Sequence, residues 1–87
     1  MFQRSQLGKR PTKKERIELM LKNVYVTPSG DRYKLIEYRK QNGGYLYIYE
    51  WINCPKEILN KTNNRIQSKS ELQLIDIINW IDELKDL

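Results

Sequence analysis

Residues 40–51, KQNGGYLYIYEW, decide the fold. An Asn-Gly pair between two β-prone runs is the strongest short-range hairpin signal, because a tight two-residue turn needs positive φ angles that these residues accept cheaply. The flanking runs, Arg32 to Arg39 and Tyr45 to Ile52, are therefore read as paired antiparallel strands. In the second run Tyr45, Tyr47, Tyr49 and Trp51 alternate with Leu46, Ile48 and Glu50, which gathers four large aromatics on one face. That face is either a wall of the core or a platform for a ligand, and the register decides between them. A two- or four-residue loop pairs Lys40 with Tyr45 and sets Tyr38 opposite Tyr47 and Ile36 opposite Tyr49. A three-residue loop slips the pairing by one, brings Arg39 and Glu37 beside Tyr47 and Tyr49, and turns Ile36, Tyr38, Leu46 and Ile48 toward the core. In that slipped register the row is an exposed aromatic and cationic surface suited to stacking on bases or sugars. The other reading lays the tyrosines half-buried under a helix with their hydroxyls at its edge.

Working outward, Asn53-Cys54-Pro55 ends the third strand, since proline donates nothing to a ladder and restricts the residue before it. A short helix near Pro55 to Asn60 and a polar loop through Thr62, Asn63 and Asn64 are expected next. On the N-terminal side, Val24 and Val26 alternate with Tyr25 and Thr27 as a short first strand before the turn-rich Pro28-Ser29-Gly30-Asp31. Thr12 and Glu15 have capping-box spacing and predict a helix from Lys13 to Lys22 with Ile17, Met20, Leu21 and Val24 on one stripe. Residues 1–11 carry no apolar period and read as a flexible basic arm ahead of a single domain, 12–87. At the other end Ser70 with Gln73, or Ser68 with Glu71, offers a cap for a helix from Glu71 to Lys85. Its apolar arc, from Leu72 through Ile77, Trp80, Ile81 and Leu84, is wider than one sheet usually covers, and Asp76, Asn79, Glu83 and Asp86 form its polar stripe. The expected fold is α+β: a small three-stranded antiparallel sheet with an N-terminal amphipathic helix and a long C-terminal helix.

A chain of 87 residues supports one modest core. It has one cysteine and no histidine, so an internal disulfide is impossible and the imidazole ligands of common metal sites are missing; no metal or other cofactor is expected. No apolar run approaches a bilayer span and no apolar segment follows the basic start, so a cytoplasmic protein is expected, with neither signal peptide nor membrane anchor. Lys, Ile and Asn supply 27 residues (10, 10 and 7), a bias of AT-rich coding sequence that points to a low-GC bacterium, its phages or its mobile elements. The pairs Glu50 with Glu57 and Asp82 with Glu83 have no spacing that marks an acid and base, and Cys54 has no activating histidine. The chain is read as non-catalytic.

The net charge of +5 is concentrated in the N-terminal quarter: residues 1–22 hold seven basic and two acidic groups, residues 23–87 nine of each. A basic arm beside a neutral body seeks phosphate or an acidic protein surface. The first expectation is a small nucleic-acid-binding accessory protein, with Lys9, Arg10, Lys13, Lys14 and Arg16 on phosphates and Arg39, Lys40, Tyr45, Tyr47 and Tyr49 nearer the bases. The alternative is a protein-binding inhibitor or adaptor of a phage or mobile element, for example one blocking a host or defence nuclease. Its contact surface, or a homodimer seam, would be Ile77, Trp80, Ile81 and Leu84 on the C-terminal helix. Residues 39–49, RKQNGGYLYIY, resemble the basic strand, glycine turn and aromatic strand of the DNA-binding arm domain of transposon and phage integrases. The resemblance covers this hairpin and implies a sheet that enters the major groove. In that family a third strand follows a second turn, where this chain has Pro55 and an expected short helix.

Overall fold

A computed structural model describes residues 10–87. Among the described residues the fold is α+β, with three helices and one four-stranded antiparallel sheet, one strand more than the sequence predicts. Helix α1 (Lys13–Lys22) begins at the expected capping box: the Thr12 amide donates to Glu15 Oε1 at 2.9 Å and the Glu15 amide to Thr12 Oγ1 at 3.2 Å. Ile17 is buried and Met20 and Leu21 pack beside it, whereas Val24, beyond the helix, is exposed. Strand β1 (Tyr25–Val26) is short and leads into the turn at 27–31, where Gly30 adopts a φ of 88°.

Strands β2 (Arg32–Gln41) and β3 (Gly44–Trp51) form the hairpin on a two-residue Asn42-Gly43 turn, with Gly43 at φ 81°. Lys40 pairs with Tyr45 and Tyr38 with Tyr47, the register of the two-residue loop. The ladder then breaks: Glu37 pairs with Ile48 but Leu35, not Ile36, lies opposite Tyr49. One extra residue in β2 is a β-bulge, and it moves every residue before it to the other face. Leu35 and Tyr33 thereby join the tyrosine face.

Helix α2 (Lys56–Leu59) follows Pro55 as expected. The segment after it forms β4 (Arg65–Ser68), paired with β3 through Tyr47 with Ser68 and Tyr49 with Ile66. Asn64 fixes its entry, accepting the Trp51 amide at its carbonyl (2.9 Å) and donating its side-chain amide to the Trp51 carbonyl (2.7 Å). The C-terminal helix α3 (Leu74–Lys85) starts three residues later than predicted, with Asp76 Oδ2 accepting the Gln73 amide at 3.1 Å. Ser68 Oγ instead closes a local turn with Ser70, and the Leu72 amide donates to the Tyr49 hydroxyl at 3.3 Å.

Each of the three described helices contributes to one cluster on the tyrosine face: Ile17 and Ile58 from the first two, Ile77, Trp80, Ile81 and Leu84 from α3, against Leu35, Tyr47, Tyr49 and Trp51 of the sheet. Lys85 ties the end of α3 to the 27–31 turn, its Nζ 2.9 Å from Asp31 Oδ2 and 5.9 Å from the centre of the Trp51 ring. The opposite face of the sheet carries Leu46, Ile48 and Glu50 between Glu37 and Arg39 on one side and Arg65 and Gln67 on the other.

Candidate functional site

The question posed by the tyrosine row has a divided answer. Tyr47, Tyr49 and Trp51 are each 1% exposed. These residues are core, and Tyr47 and Tyr49 are withdrawn as base-stacking positions, because α1 and α3 occupy the space a base would need. Burial pushes the Tyr49 hydroxyl above its ordinary pKa, which the hydrogen bond from the Leu72 amide only partly offsets. The hydroxyl of Tyr47 and the indole N–H of Trp51 meet no hydrogen-bond partner among the described residues.

The predicted docking seam on the last helix is corrected in the same way. Ile77 and Ile81 are 1% exposed, Leu84 7% and Trp80 9%. The arc that looked too wide for one sheet is filled by the β3 aromatics, by Leu35 and Tyr33 of β2, by Ile66 of β4 and by Ile17 of α1, so these four side chains are buried within the fold. The apolar residues that α3 leaves exposed are Leu74 and Ile75, at its first turn.

The core stops short of the hairpin tip. Tyr45 is half-buried and Tyr38 is 37% exposed, with ring centres 6.0 Å apart and planes at 60°, an edge-to-face pair. Three lysines lie near Tyr45. Lys13, in the first turn of α1, holds its Nζ 5.4 Å from the Tyr45 ring centre, within cation–π range. Lys40 lies directly across the ladder from Tyr45 and so shares its face. Lys69, one residue past β4, lines an open depression with Tyr45 and the turn residues Gln41 to Gly44. None of the three has a carboxylate within ion-pair distance among the described residues.

The remaining predicted cations sort by their partners. Arg16 Nε contacts Glu71 Oε1 at 3.2 Å and its Nη1 donates to the Pro11 carbonyl at 3.1 Å, so it fastens α1 to the segment before α3. Arg39 is held by Glu37 at 2.6 Å and belongs to the face opposite Tyr45. Lys14 and Arg10 are exposed near the start of α1, and Lys9 lies outside the described residues, as does most of the predicted arm. Sequence reasoning joined Lys13, Lys40 and Tyr45 only as members of one inventory. It missed Lys69, whose position depends on the unpredicted β4, and Tyr38, whose pairing with Tyr47 was visible in one of the two registers.

Among the described residues no cluster of His, Cys, Asp or Glu is arranged to hold a metal ion, and no helix is long and apolar enough to cross a membrane. Glu50, one of the carboxylates weighed as an acid or base, is ion-paired with Arg65 at 3.4 Å. Burial raises the pKa of the Cys54 thiol, which opposes formation of a nucleophilic thiolate. No family model, curated protein or solved structure matches the chain.

Proposed function

We propose that this protein is a small non-catalytic nucleic-acid-binding accessory protein whose contact surface is the hairpin tip together with the start of α1. The observation that carries the reading is the gathering of Lys13, Lys40 and Lys69 near Tyr45, the ring partner of Tyr38, with no described carboxylate neutralising the lysines. Lysines left unpaired beside exposed aromatic edges attract phosphate and release its counterions, and Arg10 and Lys14 extend the same charge along the entry to α1. Contact therefore moves away from the buried Tyr47 and Tyr49 and away from the ion-paired Arg16 and Arg39. The inhibitor or adaptor reading loses the surface on which it rested, since its four residues lie in the core.

The test is titration of fluorescently labelled oligonucleotides at a series of salt concentrations, comparing the parent with a Lys13→Gln/Lys40→Gln/Lys69→Gln variant. For every phosphate that a lysine no longer neutralises, the slope of log affinity against log salt should flatten by about 0.7 to 0.9, so the triple variant should be shallower by roughly 2 to 3. Parent and variant binding with the same slope would refute the assignment of these lysines. Failure of the parent to bind any oligonucleotide would refute the function.

A further inference from the structure

We infer that the hairpin-tip surface takes a single-stranded polynucleotide in preference to a duplex. This rests on the nucleic-acid reading above and adds the class of ligand to it. Tyr38 and Lys40 are two residues apart on one face of β2, about 7 Å along the strand, so an aromatic ring and a cation stand side by side within reach of one base and its own phosphate. Lys13, over the Tyr45 ring, and Lys69, in the depression beside Tyr45, add charge near it. A single strand satisfies both kinds of group, because its bases are free to leave their neighbours and stack on Tyr38 while the backbone follows the lysines. A duplex satisfies only the lysines.

Groove entry suits the tip less well than a single strand. A two-stranded ribbon fits the major groove, which is about 8.5 Å deep, but it has to project that far beyond whatever flanks it. Here Lys13 Nζ reaches the Tyr45 ring and Lys69 shares a depression with Tyr45 and Gln41 to Gly44, so lysines crowd the base of a tip of two residues per strand, roughly 7 Å. Of the five described arginines, which could read base edges by forked contacts, four are committed elsewhere or distant, and Arg10 is exposed at the entry to α1. Arg16, Arg39 and Arg65 are ion-paired, and Arg32 sits at the far end of β2, nine residues and about 30 Å from Gln41. Binding at the tip is accordingly carried mainly by backbone charge and stacking, and any base preference rests on the amides of Gln41 and Asn42.

The experiment compares oligo(dT), oligo(rU), a mixed-sequence single strand and the duplex made from that mixed strand, all of equal length and at one salt concentration, with the parent and with Tyr38→Leu and Tyr38→Phe. The single strands should bind the parent roughly tenfold or more tighter than the duplex, the gain of about one stacked base. Tyr38→Leu should weaken single-strand binding about five- to a hundredfold and leave duplex binding unchanged, while Tyr38→Phe, which keeps the ring, should bind like the parent. The circular dichroism of each variant confirms that it is folded. Duplex affinity equal to or above that of the single strand, or a folded Tyr38→Leu that binds like the parent, would overturn this inference and leave the nucleic-acid reading standing. Absence of binding to every probe would overturn both. Tighter binding of oligo(dT) or of oligo(rU) identifies DNA or RNA as the source of the strand.

Discussion

Replacing Tyr47 and Tyr49 one at a time by phenylalanine separates two side chains that are equally buried and lie two residues apart on the same strand face. The hydroxyl of Tyr47 has no described partner, whereas that of Tyr49 accepts the Leu72 amide at 3.3 Å. A buried polar group without a partner costs about 1 to 3 kcal/mol of desolvation, so Tyr47→Phe should be neutral or should stabilise by about 1 kcal/mol. Tyr49→Phe removes a hydrogen bond and leaves a partly buried amide unsatisfied, a loss of about 1 to 2 kcal/mol. The two variants should thus differ by about 2 kcal/mol, which for a domain of this size is a separation in Tm of roughly 8 to 16 °C. Thermal and urea unfolding followed by circular dichroism and by the fluorescence of Trp51 and Trp80 gives both numbers. Neither substitution should alter oligonucleotide affinity, since neither ring reaches the surface. Coincident melting curves, or a Tyr47→Phe variant destabilised by more than about 1 kcal/mol, the size of an ordinary net hydrogen bond, would show that the Tyr47 hydroxyl has a partner and that the tyrosine wall is not the dry core described.

Gly43→Val should destabilise by about 1 to 2 kcal/mol or more, because Gly43 holds a φ of 81° that a β-branched residue resists; no atom lies within 4 Å of the added Cβ, so the cost is conformational and Gly43→Asn should recover much of it in urea unfolding. If the Val and Asn variants unfold at the same urea concentration, turn strain is not the cause. Deleting Ile36 should be tolerated within about 1 to 2 kcal/mol with a cooperative melt, because removing the bulged residue leaves Leu35 opposite Tyr49 and Glu37 opposite Ile48 in an unbroken ladder; loss of cooperative unfolding would show that the bulge itself is required. Burial raises the pKa of both Tyr33, which also feels the nearby Tyr25, and Tyr49, so above pH 10 the unfolded chain loses these protons before the folded one does. Their contribution is complete below pH 10 and is lost as pH rises through the folded values. Urea midpoints should fall in that alkaline window, less steeply in Tyr49→Phe, and parallel profiles for parent and variant would contradict the assignment.

What was legible in the sequence was local. The Asn42-Gly43 turn, the Thr12–Glu15 box and the stop at Pro55 each depend on the chemistry of a few adjacent residues, and each stands where it was predicted. The misses depend on distant partners. Arg65–Ser68 is four residues with a single strong β-former, Ile66, and becomes a strand only because β3 offers a free edge. The start of α3 was misplaced because the Ser68 hydroxyl is used by Ser70 and the Leu72 amide by Tyr49, a residue twenty-three positions away. Lys13 and Lys40 were each identifiable as exposed cations, but their meeting around one ring depends on where α1 lies over the hairpin, and nothing in the spacing of either segment specifies that.

The bulge at Ile36 explains how a single strand supplies both the core and the proposed contact surface. Counting in twos from the tip without it, β2 would send Lys40, Tyr38, Ile36 and Lys34 to the helix side, and Lys34 would face Trp51 in the middle of the core. Burying that ammonium beside the indole without a carboxylate would cost several kcal/mol. The extra residue reverses the alternation, so Leu35 and Tyr33 enter the core and Lys34 turns out to pair across the ladder with Glu50. Beyond the bulge the original alternation stands, which leaves Tyr38 and Lys40 on the helix side but past the last core residue. The same face is therefore apolar and closed beneath α3 and cationic and open at the turn. The boundary between the two regions falls between Tyr47, which is sealed, and Tyr45, whose ring is shared by Lys13 and Tyr38. A tyrosine row that continued outward without this change would offer an exposed apolar strip prone to self-association. Three lysines near its outer end set charge there instead and, in the same placement, supply the charge on which the proposed contact with a polynucleotide depends.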